Sequence, residues 1–479
     1  MPMKNISRRS LLAGSIAVAG AAMLPRRGWT ADVADVVVIG AGLSGLYAAS
    51  MLEAAGLDVA VIEGRQRVGG RICTLDDVPG HPEAGGQTIG PKYGRVRFTA
   101  LKHGLKLETG YYGAGEPGLE QLLHVRGRRY TLEQWQQAAA NPFAGAHRGV
   151  HPDVLFWQLL GKSPFEDLTD WLAPANRDAD RSVAEQFRQL GLNNDAIDLL
   201  GVNNNYGRTL DDTSLLYMHR VETILDESFG MPGTPATIAG GNSRLPEAMA
   251  RSLKGPVVMG KVVARIDHSK PIVKVTCADG TSYQCRFVIA SVPLPALRNI
   301  AMNPALPTDH REAAAEIPYG PVVQGHFSVQ KNFWKAHGFS PSLWTDSPIE
   351  RIFAADPKAT GEMTNLVAFV NGKGAEPLSR VRGRDLDRFF IDGMSRVLPE
   401  SRGAIRFERS FSWQASALNG GSFAVWRPGQ VGKYADAVSR AVGRIHFAGE
   451  HTARWMFGME GAMESGERAA VEVLDRVGG

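Results

Sequence analysis

The run Val36-Val37-Val38-Ile39-Gly40-Ala41-Gly42-Leu43-Ser44-Gly45 carries three glycines at the spacing that binding of a dinucleotide phosphate requires. Four apolar β-formers end on Gly40, where the chain must turn sharply. Gly42 lets the backbone approach a pyrophosphate with no Cβ in the way, and Gly45 lets the following helix pack on the strand. The phosphate then rests on the helix N-terminus. Glu63 closes a second parallel strand expected at residues 58–62, and stands 23 residues after Gly40. A carboxylate there accepts ribose hydroxyls and suits an adenosine without a 2′-phosphate. Arg67-Val68-Gly69-Gly70-Arg71 separates FAD from NAD: a second glycine pair followed by arginine brings another backbone stretch and a guanidinium fork to the same pyrophosphate.

About 400 residues later lies a second block, from Phe447-Ala448-Gly449-Glu450 to Gly458-Met459-Glu460-Gly461-Ala462. Residues 444–448 read as a short buried strand, Gly449-Glu450 as a turn, and 459–474 as a helix. The small residues Gly461, Ala462, Ser465 and Gly466 allow that helix to pack closely. Its N-terminal N–H groups would stabilise negative charge on a reduced flavin.

With these motifs stand Glu83-Ala84-Gly85-Gly86, Gly240-Gly241, Trp413 and Asn419-Gly420-Gly421-Ser422-Phe423. The chain resembles the flavin-containing amine oxidase family, bacterial in type, over nearly everything after residue 31. The resemblance implies an α/β fold of two domains. One is a discontinuous Rossmann-type FAD-binding domain, residues 32–98, 236–302 and 415–479. The other is an α+β substrate-binding domain, residues 99–235 and 303–414. The flavin site it implies comprises Gly40, Gly42, Leu43, Ser44, Gly45, Glu63, Gly64, Arg65, Gly70, Arg71, Gly86, Gln87, Thr88, Val263, Trp413, Gly449, Glu450, Gly458 and Met459. Catalytic positions fall at Gln324, Trp413, Phe423 and Gly458.

The chain departs from the family pattern at three of these places. Ser422 stands where some members carry the cysteine that attaches the cofactor, so the FAD is expected to be non-covalent. Phe423 fills one position of an aromatic cage, but Gly458 stands at the second in place of tyrosine; Phe457 or Trp455 are the candidates to fill the gap. Gln324 occupies the place of a lysine that holds water near the flavin. It reads either as a strand residue facing a polar cavity or as a group that orients the water without bringing charge. His326, on the same strand face, reads as a packed histidine or a substitute base. The arginine that clamps an amino-acid carboxylate is also missing, since Gly90-Pro91 runs on to Lys92-Tyr93; Arg95 matches one found across the monoamine branch. A neutral amine is therefore expected over an α-amino acid, with Lys92 or another basic residue as the alternative clamp. Residues 203–206, Tyr217 and His219 read either as cavity lining or as an Asn-rich helix end.

The elements that must position these residues follow from periodicity. Strands are expected at 262–266, 272–277 and 286–291 within the FAD blocks. Residues 99–235 read mainly as helices and loops, with apolar faces at 154–160, 183–190 and 196–202. Strands at 322–329, 352–355 and 366–370 and a covering helix at 384–398 complete the substrate domain.

Residues 1–30 hold five basic side chains and no acidic one, whereas the remainder holds 48 Lys plus Arg against 49 Asp plus Glu. Basicity thus belongs to the leader, and no nucleic-acid partner is implied. Ser7-Arg8-Arg9-Ser10-Leu11-Leu12 and the Ala/Gly-rich run to Leu24 resemble a twin-arginine signal, residues 1–31, which implies export to the periplasm through the twin-arginine translocase. Cys277 and Cys285 flank Asp279-Gly280, but a two-residue turn there pairs Cys277 with Ser282, so no disulfide is expected. Cys73 reads as packing. The 12 histidines show no metal-binding spacing.

The chain thus reads as an exported flavin amine oxidase or dehydrogenase, with hydride passing to the flavin and the imine hydrolysing to a carbonyl. O2, giving H2O2, or a periplasmic acceptor takes the electrons, and a homodimer is allowed for. Alternatives are a flavin desaturase or isomerase of an apolar substrate, an L-amino-acid oxidase, and an exported flavoprotein with a degraded site.

Overall fold

Val36 to Ile39 and Val59 to Ile62 are apolar and buried on both faces, which a strand tolerates only at the centre of a sheet covered on both sides. In the computed structural model, which describes residues 33–109, 111–112, 118–229, 235–356 and 362–478, they pair in parallel, Val36 opposite Val59 and Ile39 opposite Ile62. The sheet runs in the order Val257–Val258, Val59–Ile62, Ala34–Ile39, Ser282–Ala290, Val273–Cys277, Val263–Asp267, Ala301–Asn303, with Ile445–Phe447 beside Ser282–Ala290. Chain segments far apart in sequence therefore build one sheet, with Val38 in register beside Ile289, and Ile289 beside His446.

Ser282–Ala290 shows how sequence encodes position in that sheet. Ser282, Gln284 and Arg286 are exposed while Tyr283 and Cys285 are buried, and then Phe287 to Ala290 are all buried. The alternating half pairs antiparallel with Val273–Cys277; the continuous half lies between two parallel strands. The register corrects one expectation: Thr276, not Cys277, lies opposite Ser282, because the turn closes with the Cys277 N–H donating to the Thr281 carbonyl. Cys73, Cys277 and Cys285 are all free.

The first helix, Leu43–Ala54, begins directly on the glycine turn. It packs against the C-terminal helix Gly458–Gly478. A Cβ on Gly466 would lie 2.3 Å from the Ser44 carbonyl oxygen, so that crossing requires glycine.

A second sheet runs Ile405–Ser412, Val322–Val329, Asn365–Asn371, Arg351–Asp356, Phe339–Thr345, Glu120–Val125, Arg128–Tyr130, with Tyr111–Tyr112 beside Arg351–Asp356. Val323 and Phe327 pack under the helix Gly383–Val397, and a Cβ on Gly325 would fall 2.4 Å from the Phe390 ring. Gln324, His326 and Ser328 face the opposite side. The hairpin Glu120–Tyr130 is an addition to what was expected of residues 99–235. Its turn residues Arg126 and Gly127 both take positive φ, as a two-residue hairpin turn demands. The expected helices at 154–160, 183–190 and 196–202 form as Pro152–Leu160, Val183–Gln189 and Asn194–Leu200.

The two sheets join in one compact unit from Val33 onward. The leader, residues 1–31, lies outside the described residues. Among the described residues no helix is long and apolar enough to cross a membrane, and no group of three or more His, Cys, Asp or Glu is arranged to hold a metal ion.

Candidate flavin and substrate site

At the end of Ala34–Ile39 the chain reverses through Gly40, φ +106°, whose N–H donates to the Ile62 carbonyl at 2.8 Å. A Cβ on Gly45 would lie 2.1 Å from the Gly40 carbonyl oxygen, so helix and turn touch only because Gly45 has no side chain. At Gly42 nothing lies within 4 Å of the Cβ position. No side chain caps the Leu43–Ala54 helix there, and Gly42, Leu43 and Ser44 at its start line open space. That is a cradle for an anion.

The second glycine pair closes on the first. Gly69 N–H donates to the Ala41 carbonyl at 2.8 Å, and Gly70, φ +59°, packs on Gly42. Arg67 fastens this loop by donating to the carbonyls of Val68, Gly70 and Ile72. Arg71 reaches across the chain instead. It pairs with Glu450 at 2.8 Å, donates to the Ser422 carbonyl at 3.1 Å and stands 5.4 Å over the Tyr319 ring. The Glu450 carboxylate also accepts from the Ala424 N–H at 3.0 Å. This ion pair joins the first and last motifs of the sequence.

Between them opens a cleft of about 400 Å³. Gly40, Gly42, Leu43, Ser44, Glu63, Gly64, Arg65, Gly70, Arg71, Gly86, Val263, Phe423, Glu450, Gly458 and Met459 line it, together with Ser422. Glu63 is buried and accepts from the Ala41 and Arg65 N–H groups at 2.9 Å each, while Arg65 donates to Asn419 at 2.7 Å. Gly45, Gln87, Thr88, Trp413, Gly449 and Gln324 are not among the lining residues. Gly45 and Gly449 act one layer behind: Gly449, φ +132°, donates its N–H to Ser465, and a Cβ there would strike the His451 ring. Gln87 and Thr88 follow Gly86 and are half-buried.

Gln324 and Trp413 meet at one atom. The Gln324 amide donates to the Ala84 carbonyl at 3.1 Å and the Trp413 indole N–H donates to the same oxygen at 2.8 Å. The Trp413 ring presses on Gly85, where a Cβ would lie 2.6 Å away. The remaining Gln324 oxygen accepts from His326 Nε2 at 2.9 Å. Burial, reinforced by Arg409, pulls His326 down to about 3, so it is neutral, and its buried Nδ1 has no partner among the described residues. It packs behind Gln324; the substitute-base reading has no geometric support.

Around Phe423 gather other aromatics. Tyr206 stands 6.1 Å from the Phe423 ring, with Tyr217 at 6.4 Å and Trp157 at 6.2 Å from Tyr206. Burial pushes the Tyr206 hydroxyl up to about 12. The asparagines before Tyr206 hold the chain rather than cap a helix. Asn204 accepts from the Tyr206 N–H, and Asn203 donates to Glu350 and to the Phe369 carbonyl. His219 faces Glu222 and Phe165.

Gly458 takes φ +61°, and among the described residues other than its chain neighbours the Tyr93 hydroxyl comes within 4 Å of its Cβ position, at 3.3 Å. Trp455 is half exposed, Phe457 packs against the cluster that contains Tyr93, and the Tyr93 hydroxyl is a further aromatic group at this gap. Tyr93 stands two residues after Gly90-Pro91, in Gly90-Pro91-Lys92-Tyr93. Arg95 pairs with Glu460 and Glu467 and braces Gly94–Lys102 against the C-terminal helix.

These features agree with comparisons to known proteins. The family profile described as flavin containing amine oxidoreductase matches residues 43–474. The chain is 29% identical over 468 residues to a flavin-containing amine oxidase of Danio rerio, covering 94% of this chain and 87% of that protein. It is 28% identical over 465 residues to flavin-containing amine oxidase B of Homo sapiens, covering 93% and 86%. Among solved structures, cyclohexylamine oxidase from Brevibacterium oxydans IH-35A superposes with a TM-score of 0.76 at 22% identity, over 94% of this chain and all of that one. Putrescine oxidase bound to putrescine superposes at 0.73 and 23%, over 93% of this chain and 100% of its own. The chain belongs to the flavin-containing amine oxidoreductase family. It has the amine oxidase fold and is an oxidoreductase of the amine-oxidising class.

Proposed function

We propose that this enzyme holds FAD without a covalent bond and oxidises a neutral amine to an imine that water converts to a carbonyl compound. The glycine cradle, Glu63 and the Arg71–Glu450 pair fit a dinucleotide lying along the cleft. When bound, the flavin supplies the hydride acceptor. The chain's own part is to orient the substrate and keep water from it. Phe423 lines the cleft, with Tyr206 beside it and the Tyr93 hydroxyl beside Gly458, and this aromatic surround suits an amine with an apolar body.

The observation that carries this reading is the pairing of the charges near the wall. Arg71 is matched by Glu450, and Arg95 by Glu460 and Glu467. An α-amino acid would need a cation free to meet its carboxylate, and Arg220, which has no carboxylate partner among the described residues, is buried and donates to the Ala453 and Met456 carbonyls. A flavin desaturase of an apolar substrate is the weaker reading, since the Trp413 and Gly421-Ser422-Phe423 elements favour the amine branch.

Gln324 spends its oxygen on His326 and an N–H on Ala84, and brings no charge to the site. This supports an acceptor other than O2 as the faster partner. Together with the Arg8-Arg9 leader, it supports a periplasmic dehydrogenase loaded with FAD before export.

Two measurements test this reading. Anaerobic addition of primary amines with apolar bodies is expected to bleach the bound flavin; no bleaching by any amine, with bleaching by an apolar C–C substrate, would overturn it. Acid precipitation is expected to leave all FAD in the supernatant, because the Ser422 hydroxyl, which donates to the Gly320 carbonyl, cannot form a thioether.

A further inference from the structure

Arg220, on the helix Leu215–Phe229, is a buried arginine that the site as described does not use. Among the described residues no carboxylate pairs with it at ion-pair distance. Its Nη2 donates to the carbonyls of Ala453 and Met456 at 3.0 and 2.8 Å. Its guanidinium lies 4.0 Å over the Trp171 ring, and Trp171 in turn donates its indole N–H to the Arg454 carbonyl at 2.9 Å. From the other side, the buried Glu464 carboxylate accepts from the N–H groups of Arg454, Trp455 and Met456.

The turn 453–456 is thus gripped twice, its carbonyls by Arg220 and Trp171 and its N–H groups by Glu464. Two residues further on, Gly458 and Met459 line the cleft and open the C-terminal helix. A surface turn needs no such grip. Burying a guanidinium without a paired anion is costly, and the charge it leaves is poorly screened by solvent. The charged and titratable groups that feel it are Tyr217, Glu464 and Glu450, the last in the cleft wall.

We propose that Arg220 is a positioning residue for the bound flavin. It fixes the turn that delivers Gly458 and Met459 to the cleft, and its buried positive charge favours reduction of the cofactor. The inference rests on the flavin reading but not on any amine being the substrate.

The test is potentiometric titration of FAD-loaded protein, which needs no substrate. In Arg220→Met the equilibrium for two-electron reduction is expected to fall about tenfold, equivalent to a drop of about 30 mV, with weaker FAD retention. A folded Arg220→Met protein with the wild-type potential would overturn the proposal and leave Arg220 a strut. Should that variant not fold, Arg220→Lys decides. A buried amine titrates below its usual range, so its potential is expected to match wild type at pH 6 and fall below it at pH 9. A curve parallel to wild type throughout would overturn the proposal. Wild-type protein that binds no FAD would instead defeat the flavin reading.

Discussion

Gly458 and Tyr93 occupy one space. With φ at +61° a side chain at 458 costs about 1–2 kcal/mol in backbone strain, and its Cβ would meet the Tyr93 hydroxyl at 3.3 Å. Gly458→Tyr alone is expected to lower kcat/KM at least tenfold. Combining it with Tyr93→Ala is expected to recover most of that loss, because the clash is removed and only the strain remains. Strict additivity of the two in a double-mutant cycle would show that the residues do not share a site. Gln324 raises a different question, since the amide is buried and bonded at both ends. Gln324→Lys puts a cation beside the Ala84 carbonyl, and reoxidation by O2 is expected to rise about tenfold through electrostatic stabilisation of developing negative charge. Flavin reduction by substrate is expected to change little, as it depends on placement. Stopped-flow measurement of both half-reactions checks this; wild-type reoxidation by O2 already faster than flavin reduction would make the enzyme an ordinary oxidase.

The short strand Glu83–Gly85 links several parts of the site. Its Ala84 carbonyl receives Gln324 and Trp413, Gly86 beyond it lines the cleft, and Glu83 accepts from Thr74 and from the Asn242 N–H. Burial outweighs those donors and lifts the Glu83 carboxyl to about 8. The folded protein therefore holds a proton that the unfolded chain releases near its ordinary value of 4.5. Stability from this group is present below pH 4.5 and is lost as pH rises through 8. Glu83→Gln is expected to flatten that part of the pH–stability profile, measured by urea unfolding at fixed pH steps. An unchanged slope would place the proton elsewhere. Elements such as Val322–Val329 were legible in sequence because one face must bury Val323 and Phe327 while the other carries polar Gln324, His326 and Ser328. Glu120–Tyr130 was not: its strands carry Glu120, Gln121, Arg128 and Arg129 and join the sheet by pairing with Phe339–Thr345, more than 200 residues away. Tyr93 was hidden for a related reason. Its role depends on an empty Cβ position 365 residues along the chain, which only the packing of the two helices reveals.

At the scale of the whole molecule, the first and last motifs are joined by Arg71–Glu450, and the core sheet alternates strands from the beginning, middle and end of the chain. Such a topology assembles only when nearly all the chain is present, and its many long-range contacts make folding slow. The flavin cleft is lined by residues from Ile39 to Ala462, so cofactor binding requires the completed fold. A route that exports a folded, cofactor-loaded protein suits such a molecule, whereas threading it unfolded would leave FAD behind. A fusion of residues 1–35 to a reporter that folds in the cytoplasm is expected to be exported, and Arg8→Lys with Arg9→Lys to abolish export while leaving yellow protein in the cytoplasm. Yellow cytoplasmic protein is the decisive part, because it shows that folding and FAD binding precede translocation. Export that persists without the twin-arginine translocase, or FAD-free protein held back in the cytoplasm, would reverse that order.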